Sequence, residues 1–479
     1  MNILLINPDL SVSERYGMLA KVGPTTEPMG LTYIAAVLLE RGHKVRIIDA
    51  APIHFKPSDL AREIEKEKFD LVGITFMTPM YLCAMDVAKS IRKANREITI
   101  VIGGPHVTIM PEETLKNNRE IDFAVLGEGE YTMLELVDAL EKGANDFTGI
   151  KGIAFLDKEN KFIITPPREP EKDIDKFPLP ARHLLPMKLY RPTPTYYQKL
   201  PAHIILTTRG CPFRCSYCSK IFGNLVRFHS VERIIKEINI LIEEHGAKEI
   251  IFRDDTFTIN KKHTTQLCNE MIKQGIHKKI RWMCMTRVNL IDEELLKIMK
   301  KAGCWSMHFG VESGSQRLLD LVRKDITIEQ IKKAFYLTKK VGIKTKAFFM
   351  IGLPTETPEE SLLTIGLAKE LDPDGAQFTI TVPFPGTKLF DLAKTSGHMK
   401  SFRWEDYQSW AGWTNKDLVY VTEGRTQEEL KQFQKRALRE FYLRPGMVFR
   451  NILAVRSLDI FRAYFHGGLA LLRSALNKN

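Results

Sequence analysis

Three cysteines stand close together in the chain, at Cys211, Cys215 and Cys218, with the spacing CxxxCxxC. They lie between Thr207 and Lys220, so one short loop supplies three thiolates. A cuboidal 4Fe-4S cluster usually takes four cysteine ligands, and three ligands therefore leave one iron with an open coordination position. The spacing predicts a cluster that can bind and activate a second molecule.

A structural zinc site is the main alternative for these thiols. Such sites normally close with four ligands, often as two close pairs along the chain. No second CxxC pair or closely spaced histidine pair accompanies the loop, and the remaining cysteines are isolated: Cys83, Cys268, Cys284 and Cys304. Disulfides are disfavoured because the N-terminus lacks a secretory signal pattern and cytosolic thiols stay reduced.

The cysteine spacing resembles the signature of the radical S-adenosylmethionine (SAM) superfamily. The resemblance implies that SAM binds the open iron, where an electron cleaves it to methionine and a 5′-deoxyadenosyl radical. It also implies oxygen sensitivity and an electron donor such as flavodoxin or ferredoxin. Tyr217 matches the position where the family places an aromatic residue beside adenine, and a packing role under the loop is the alternative.

Length and composition are typical of a soluble globular protein with two or three domains. The chain has 479 residues, of which 44% are hydrophobic and 27% charged. No apolar stretch reaches the roughly 18–20 residues that cross a bilayer, and we expect a cytoplasmic protein. The formal net charge is +12, and ten Lys or Arg residues against two acidic ones fall between Lys431 and Asn479.

Short apolar runs alternate with helical patterns over residues 1–145. The runs that suggest strands are Ile3–Ile6, Val45–Asp49, Leu71–Phe76, Ile98–Ile102 and Phe123–Leu126. Because they are apolar throughout, they suit parallel strands buried on both faces. The alternation predicts an α/β domain with a doubly wound, Rossmann-like parallel sheet, whose ligands bind beyond the carboxyl ends of the strands.

The loops at those strand ends are rich in glycine and proline, but the dinucleotide fingerprint GxGxxG is absent. Together with the cysteine loop they resemble the cobalamin-binding domain of cobalamin-dependent radical SAM enzymes. The resemblance implies cobalamin contacts from Asn7, Pro8, Thr75, Met77, Thr78, Gly103, Gly104, Pro105, His106, Gly127, Glu128, Gly129 and Glu130. The alternative is a sheet that serves only for docking.

One departure from other cobalamin domains concerns the cobalt ligand. Asp9 is followed by Leu10 and Ser11, so the Asp-x-His-x-x-Gly loop of the methionine-synthase type is missing. We therefore expect no histidine ligand to cobalt from this loop. For His106 we expect a hydrogen-bonding or packing role rather than cobalt ligation.

A second series of βα units follows a proline-punctuated stretch. Residues 146–200 predict an extended linker, and residues 201–400 contain the second series. Its strand-like runs are His203–Thr208, Ile250–Arg253, Arg281–Thr286, Ser306–Val311, Thr345–Ile351 and Gln377–Val382. Six such units predict a partial (β/α)6 barrel with its site at the C-terminal rim, and the cysteine loop follows the first strand.

The resemblance assigns SAM contacts to several rim positions besides Tyr217. Asp254 and Asp255 follow the second strand, where the family holds the SAM amino group and the backbone often matters more than the side chain. Arg287 could pair with a carboxylate of SAM or substrate. Glu312 matches a position that contacts the ribose hydroxyls, and Gly352 matches a position where the backbone passes under adenine. An ordinary salt bridge of a barrel loop is the alternative for each side chain.

Residues 401–479 predict a basic, helical C-terminal region. Gln427–Tyr442 has an amphipathic pattern, and Arg450, Arg456 and Arg462 accompany apolar residues after it. A basic amphipathic helix can lie on an anionic membrane surface, and a helix packed over the barrel is the alternative. No nucleic-acid-binding module is recognised, so a nucleic-acid partner is not expected.

The whole chain resembles cobalamin-dependent radical SAM enzymes, in particular the subgroup with the anaerobic magnesium-protoporphyrin IX monomethyl ester cyclase and with hopanoid- and lipid-modifying enzymes. The resemblance implies modification of an unactivated carbon, with C-methylation of a hydrophobic small molecule as the preferred function. Oxidative cyclisation or carbon–carbon bond formation without methyl transfer is the alternative. A non-catalytic cobalamin and iron–sulfur sensor is an alternative of another class.

Overall fold

The computed structural model describes residues 1–9, 25–414, 416–453, 455 and 468. These residues fall into two compact units. The first holds residues 1–9, 27–190 and 219–223, and the second holds 25–26, 191–218 and the described residues from 224 onward. Each unit has its own parallel sheet. The finer predicted division into four segments stays a prediction.

The first unit is built on a seven-stranded sheet of order β2-β1-β3-β4-β5-β6-β7. Its strands are β1 Asn2–Asn7, β2 Lys44–Asp49, β3 Leu71–Thr75, β4 Thr99–Gly103, β5 Phe123–Val125, β6 Ile153–Leu156 and β7 Phe162–Ile164. Its helices are α1 Met29–Glu40, α2 Ala50–Ile53, α3 Leu60–Lys66, α4 Tyr81–Ala94, α5 Pro105–Ile109, α6 Pro111–Asn117 and α7 Glu130–Glu141.

The first five strands are parallel, as their apolar sequences predict. Leu4, Val72 and Ile100 are fully buried at the centre of the sheet. Burial on both faces requires the helices that connect parallel strands to cover the sheet, and this gives the doubly wound arrangement. The predicted α/β fold of this region is confirmed.

The structure differs from the expected linker over residues 146–200. β6 and β7 form an antiparallel hairpin that continues the sheet from β5. Asp157 caps the turn by accepting hydrogen bonds from the backbone of Glu159 and Lys161. The prolines that suggested an extended chain stand after β7. The two short apolar strands before them form the edge of the sheet, where Ile153 is fully buried.

The second unit is built on a six-stranded parallel sheet of order β15-β14-β13-β12-β11-β8, beside a small antiparallel pair, β9 and β10. The strands are β8 Ala202–Ile205, β9 Thr208–Arg209, β10 Arg227–Phe228, β11 Glu249–Phe252, β12 Arg281–Thr286, β13 Cys304–Glu312, β14 Lys344–Ile351 and β15 Gly375–Ile380. The helices are α8 Val231–Glu243, α9 Lys261–Lys273, α10 Ile276–Lys279, α11 Glu293–Lys301, α12 Gln316–Leu321, α13 Ile328–Lys340, α14 Pro358–Leu371, α15 Lys388–Thr395, α16 Gln427–Tyr442 and α17 Pro445–Leu453.

The six large strands follow one another in chain order, as the partial barrel requires. Helix α16 packs on the last of them, β15. Its Gln434 is fully buried and donates to the carbonyl oxygens of Phe378 and Ser409, both at 3.0 Å. The C-terminal helix at Gln427–Tyr442 therefore covers the barrel, whereas Arg456 and Arg462 lie outside the described residues. No helix within the described residues is long and apolar enough to cross a membrane.

Candidate cluster and cofactor site

The three cysteines lie on the loop that leaves the first barrel strand, β8. Cys211 and Cys215 are partly buried, and Cys218 is exposed. The loop is held between two elements of the barrel at Ser216, whose backbone N–H donates to Val322 O and whose carbonyl accepts from Leu389 N, both at 2.9 Å. This anchoring fixes the backbone of the thiol-bearing loop at the carboxyl edge of the sheet.

Asp254, at the end of β11, braces the start of the loop. Its Oδ1 accepts from the backbone N–H of Thr207 at 2.7 Å and of Thr208 at 2.5 Å, and from both threonine hydroxyls. The residue is 1% exposed, and burial raises its pKa to about 6, although the threonine hydrogen bonds act in the opposite direction. The Asp254 side chain thus serves the loop, and a SAM contact from its backbone stays a prediction.

Three thiolates from one loop are the donor set predicted for a 4Fe-4S cluster with one open iron. No three described His, Cys, Asp or Glu side chains are grouped so that they could hold one metal ion. In a cuboidal cluster each cysteine binds a different iron, so the sulfurs need not converge on one point. Cys218 reaches solvent, but the protein around its sulfur desolvates it. This desolvation, followed by the charges of Asp255, Cys215 and Cys211, raises the pKa of the Cys218 thiol to about 11. Bound iron deprotonates such a thiol outright.

Arg287 lies directly against the cluster loop. Its Nη1 is 3.5 Å from Cys215 Sγ, its guanidinium lies 3.8 Å from the centre of the Phe213 ring, and its Nη2 donates to the carbonyl oxygen of Lys324. The side chain is 6% exposed. Its observed partners are therefore the loop and its surroundings, and the predicted pairing with a carboxylate of SAM or substrate stays a prediction.

Glu312 ends β13 and reaches the cluster loop through Lys324. Lys324 Nζ lies 2.6 Å from Glu312 Oε1 and 3.1 Å from Tyr217 Oη, and both charged residues are buried. Burial, with the nearby charges of Glu312 and Cys215, raises the pKa of Tyr217 well above its usual value. The sequence analysis missed Lys324, which no motif marks because it stands twelve residues after Glu312 in an irregular turn.

Two glycines make room at this rim. A Cβ on Gly310 would overlap Glu312 Oε1 and Lys324 Nζ, so the ends of these two flexible side chains would have to shift to accommodate it. Gly352 has a φ of 81° and follows β14, where a side chain would crowd Leu430 of α16. The predicted passage under adenine at Gly352 remains untested.

In the first unit, the predicted cobalamin residues lie at the carboxyl ends of β1, β3, β4 and β5. Gly104, with a φ of 101°, stands where a Cβ would overlap Phe76 O. Gly127 has a φ of 72°, and a Cβ there would meet nothing within 4 Å. Met77 is 43% exposed beside them. The space beside Gly127 would let a large ligand approach the backbone closely there.

His106 belongs to the same group of loops, but its side chain is buried. It is 1% exposed, its Nδ1 is 3.2 Å from Thr78 Oγ1, and its ring packs edge-on to Tyr81. Burial lowers its pKa to about 4, so the ring is neutral at physiological pH. These contacts agree with the expected hydrogen-bonding and packing role.

Asp49 at the end of β2 is a buried polar residue that the sequence analysis did not single out. It accepts from Tyr190 Oη at 2.6 Å and from Asn7 Nδ2 at 2.9 Å. Burial raises its pKa to about 6. The amide nitrogen of Asn7, a predicted cobalamin contact, is therefore already bonded to Asp49.

Comparison with known proteins separates the chain into the same two parts. Residues 16–137 match the family described as B12 binding domain, and residues 205–368 match the radical SAM superfamily. An uncharacterised methyltransferase of Pyrococcus horikoshii is 40% identical over 97% of this chain and 97% of its own length. The anaerobic magnesium-protoporphyrin IX monomethyl ester cyclase of Rubrivivax gelatinosus is 32% identical, over 81% of this chain and 69% of its own length.

The chain belongs to the cobalamin-dependent radical SAM enzymes. Its cofactors are accordingly cobalamin, a 4Fe-4S cluster and SAM, as the sequence analysis predicted.

Two solved structures share the fold of this cobalamin-dependent radical SAM enzyme. The methyltransferase TsrM of Kitasatospora setae, with cobalamin and a 4Fe-4S cluster bound, matches with a TM-score of 0.72 at 20% identity, over 94% of this chain and 90% of that one. The cobalamin-dependent SAM radical enzyme OxsB matches with a TM-score of 0.75 at 14% identity, over 99% and 72%. The assignment of individual cobalamin and SAM contacts stays a prediction.

Proposed function

We propose that this enzyme transfers a methyl group to an unactivated carbon of a small molecule with a hydrophobic portion. The observation that carries the proposal is the three-thiol loop at the rim of a six-stranded barrel, in a chain that also contains a B12-binding domain. The relative from Pyrococcus horikoshii is named a methyltransferase, and so is the fold neighbour TsrM.

Named residues have distinct parts in this proposal. Cys211, Cys215 and Cys218 hold the cluster, and Asp254 keeps their loop in place through four hydrogen bonds. When bound, the cluster supplies the electron that cleaves SAM, and cobalamin supplies the methyl group. Glu312, held by Lys324, presents its remaining oxygen to the ribose hydroxyls of SAM at the end of β13.

Isotope labelling tests the reaction. The enzyme is reconstituted anaerobically with iron, sulfide and cobalamin, and incubated with SAM carrying a deuterated methyl group and with lipid and pigment extracts of a deletion strain. Methyl transfer gives a product that carries the intact labelled methyl group, together with equal amounts of 5′-deoxyadenosine and S-adenosylhomocysteine. A product without label would contradict the proposal.

The same experiment separates the alternatives. Oxidative cyclisation, which the 32% identity to the Rubrivivax cyclase favours, would give 5′-deoxyadenosine and an unlabelled product of lower hydrogen content. A non-catalytic sensor would give no 5′-deoxyadenosine. Reduced flavodoxin or ferredoxin is proposed as the electron donor, and either one should replace a chemical reductant in the assay.

We further propose that the enzyme is cytoplasmic and touches an anionic membrane surface through α17. Phe449, Ile452 and Leu453 of this helix are all more than 60% exposed, and apolar side chains beside basic ones favour an anionic lipid surface. Flotation with vesicles that contain anionic lipid should recover the wild type, and Phe449→Asp with Ile452→Asp should abolish recovery. Equal recovery of both proteins would contradict the contact.

A further inference from the structure

A row of side chains crosses the inner face of the barrel below the rim. Strand register places Met285 of β12 beside His308 of β13, and His308 beside Lys346 of β14. Phe309, the next residue of β13, faces outward because it packs against Phe335 of α13. On β14, Phe349 stands three residues after Lys346 and faces outward as well, because it stacks on Phe378 of β15, which packs against Phe441 of α16. Successive side chains of a strand alternate in direction, so His308 and Lys346 face the interior.

Two positive side chains meet at this row. Lys346 Nζ lies 4.4 Å from the centre of the Tyr196 ring and 3.2 Å from Thr195 Oγ1. The Arg253 guanidinium lies 5.8 Å from the same ring, and its Nη1 is 3.7 Å from Met285 Sδ. Lys346 is buried, whereas Arg253 is exposed. The buried ammonium is therefore linked through Tyr196 to a guanidinium that solvent reaches.

No carboxylate of the described residues lies within 4.0 Å of either cation. A buried charge without a counter-charge is costly, and proteins normally pair it or neutralise it. Burial, and then the charge of Arg253, lowers the pKa of Lys346 to about 7. The barrel thus keeps two basic groups together without compensating them from its own described side chains.

His308 adds a second, independent observation. It is 1% exposed, and neither ring nitrogen has a hydrogen-bond partner among the described residues. Its ring lies 4.7 Å from the Tyr196 ring, centre to centre, and burial lowers its pKa well below the usual value. A neutral imidazole keeps one N–H donor, and buried polar groups of this kind are normally satisfied by a partner.

We propose that Arg253, His308 and Lys346 bind an oxyanion, a carboxylate or a phosphate, carried by the substrate of this enzyme. The inference rests on the proposed function and narrows its substrate to an amphiphile, because Phe348 and Met350 continue the same inner face of β14 with apolar surface. His308 precedes Glu312 by four residues on β13. The anion therefore sits deeper in the barrel than the predicted SAM contacts, and the apolar body extends from it towards the rim.

Matched probes of one chain length test the charge requirement. Octyl phosphate, octanoate and 1-octanol are titrated into the holoenzyme by calorimetry, each below its micellar concentration. We expect at least one of the two anions to bind and octanol to bind at least tenfold more weakly, because charge-assisted hydrogen bonds are the strong ones. Binding should also take up protons above about pH 7, seen as a heat that depends on the buffer, because the anion restores the charge of Lys346.

The variant Lys346→Met should weaken binding of the anions by about tenfold to a hundredfold and leave octanol unchanged. Lys344→Met is the matched control, because Lys344 stands on the same strand and is exposed; it should bind like the wild type. The proposal is overturned if neither anion binds the wild type, if octanol binds equally well, or if Lys346→Met does not change the affinity.

Cleavage of SAM distinguishes this inference from the proposed function. Reductive formation of 5′-deoxyadenosine without substrate should be the same in the control Lys344→Met and in the wild type. If both cleave SAM and transfer methyl groups while the anion probes fail, the substrate assignment alone is lost. If neither produces 5′-deoxyadenosine, the proposed function is lost, whatever the probes show.

Discussion

Asp254 and Lys324 hold the candidate cluster site together, although neither is a thiol. Asp254 gives one carboxylate oxygen to four donors at the start of the cysteine loop. Lys324 joins Glu312 of β13 to Tyr217 of the loop. In a buried site the loss of one such partner leaves the others unsatisfied, and that penalty exceeds the net gain of an ordinary hydrogen bond. The positions of the sulfurs therefore depend on these buried polar side chains.

For Asp254 we compare two substitutions. Asp254→Ala removes the acceptor of four donors and should lower the free energy of unfolding by about 2–4 kcal/mol, with a parallel loss of bound iron and sulfide. Asp254→Asn keeps one oxygen acceptor and should therefore lose less stability and less bound iron and sulfide than Asp254→Ala. Urea denaturation and anaerobic metal analysis measure the two effects. Wild-type stability and iron content in Asp254→Ala would refute the bracing role.

For Lys346 the prediction concerns pH. Between its folded pKa of about 7 and the ordinary value of 10.5, the unfolded chain binds a proton that the folded chain does not, so stability rises with pH. Lys346→Met should raise the free energy of unfolding by about 2–4 kcal/mol at neutral pH, and this gain over the wild type should shrink towards pH 10.5. Subtracting the wild-type free energy of unfolding from that of Lys346→Met at each pH separates the titration of Lys346 from that of the groups that face it, Arg253, His308 and Tyr196. A gain that does not vary with pH would contradict the assignment.

At the scale of elements, close contact between backbones shapes the rim of the barrel. The turn after β13 passes so near α14 that a Cβ on Gly314 would overlap the backbone of Leu363 and Thr364. Thr364 Oγ1 also accepts from the backbone N–H of Gly314 at 2.9 Å. This contact holds the turn that follows Glu312, and it depends on a glycine that has an unexceptional sequence context.

Paired glycine substitutions test this contact. Gly314→Ala forces the turn away from α14 and should destabilise the protein by about 1–3 kcal/mol. Gly366→Ala, in the exposed middle of α14 where a Cβ meets nothing within 4 Å, should stabilise it by about 0.5–1 kcal/mol. Thermal or urea unfolding gives both values. If both variants change the free energy of unfolding in the same direction, the close approach of Gly314 to α14 does not limit the stability of the protein.

At the scale of the whole molecule, each unit places its candidate site at the carboxyl ends of its own parallel strands. The first unit offers the glycine-lined edge of β3, β4 and β5, and the second offers the cysteine loop after β8. Both positions follow from one rule, because helices cover the faces of a parallel sheet and leave the loops at its carboxyl edge free to bind ligands. A substitution at one cofactor site should therefore reduce the cofactor content of that site and leave the other site at its wild-type content.

Met77→Glu tests this separation. A carboxylate on the exposed edge of the first unit should reduce the cobalamin that copurifies with the protein several-fold, measured by its visible absorbance. Iron, sulfide and the reductive cleavage of SAM should remain at wild-type levels. Ile164→Glu is the control, because Ile164 is also exposed but lies on the edge strand β7. Full cobalamin content in Met77→Glu would contradict the predicted site.

The sequence alone determined the order of the elements and the nature of the chemistry. Buried parallel strands are apolar throughout, so their runs were visible in the sequence. The predicted strand at Arg281–Thr286 and the predicted helix at Gln427–Tyr442 agree with the observed bounds. Likewise, the thiols of the cluster lie within eight residues of one another. Signals of this kind are local, and local patterns survive in the sequence.

Only the tertiary structure decided which distant side chains meet. Lys346 and His308 become neighbours through strand register, Lys324 reaches Glu312 through an irregular turn, and Arg287 turns onto the cluster loop rather than into open space. The hairpin β6–β7 likewise depends on pairing with β5. These contacts join residues far apart in the chain, and their energies depend on burial and direction, which no spacing in the sequence records.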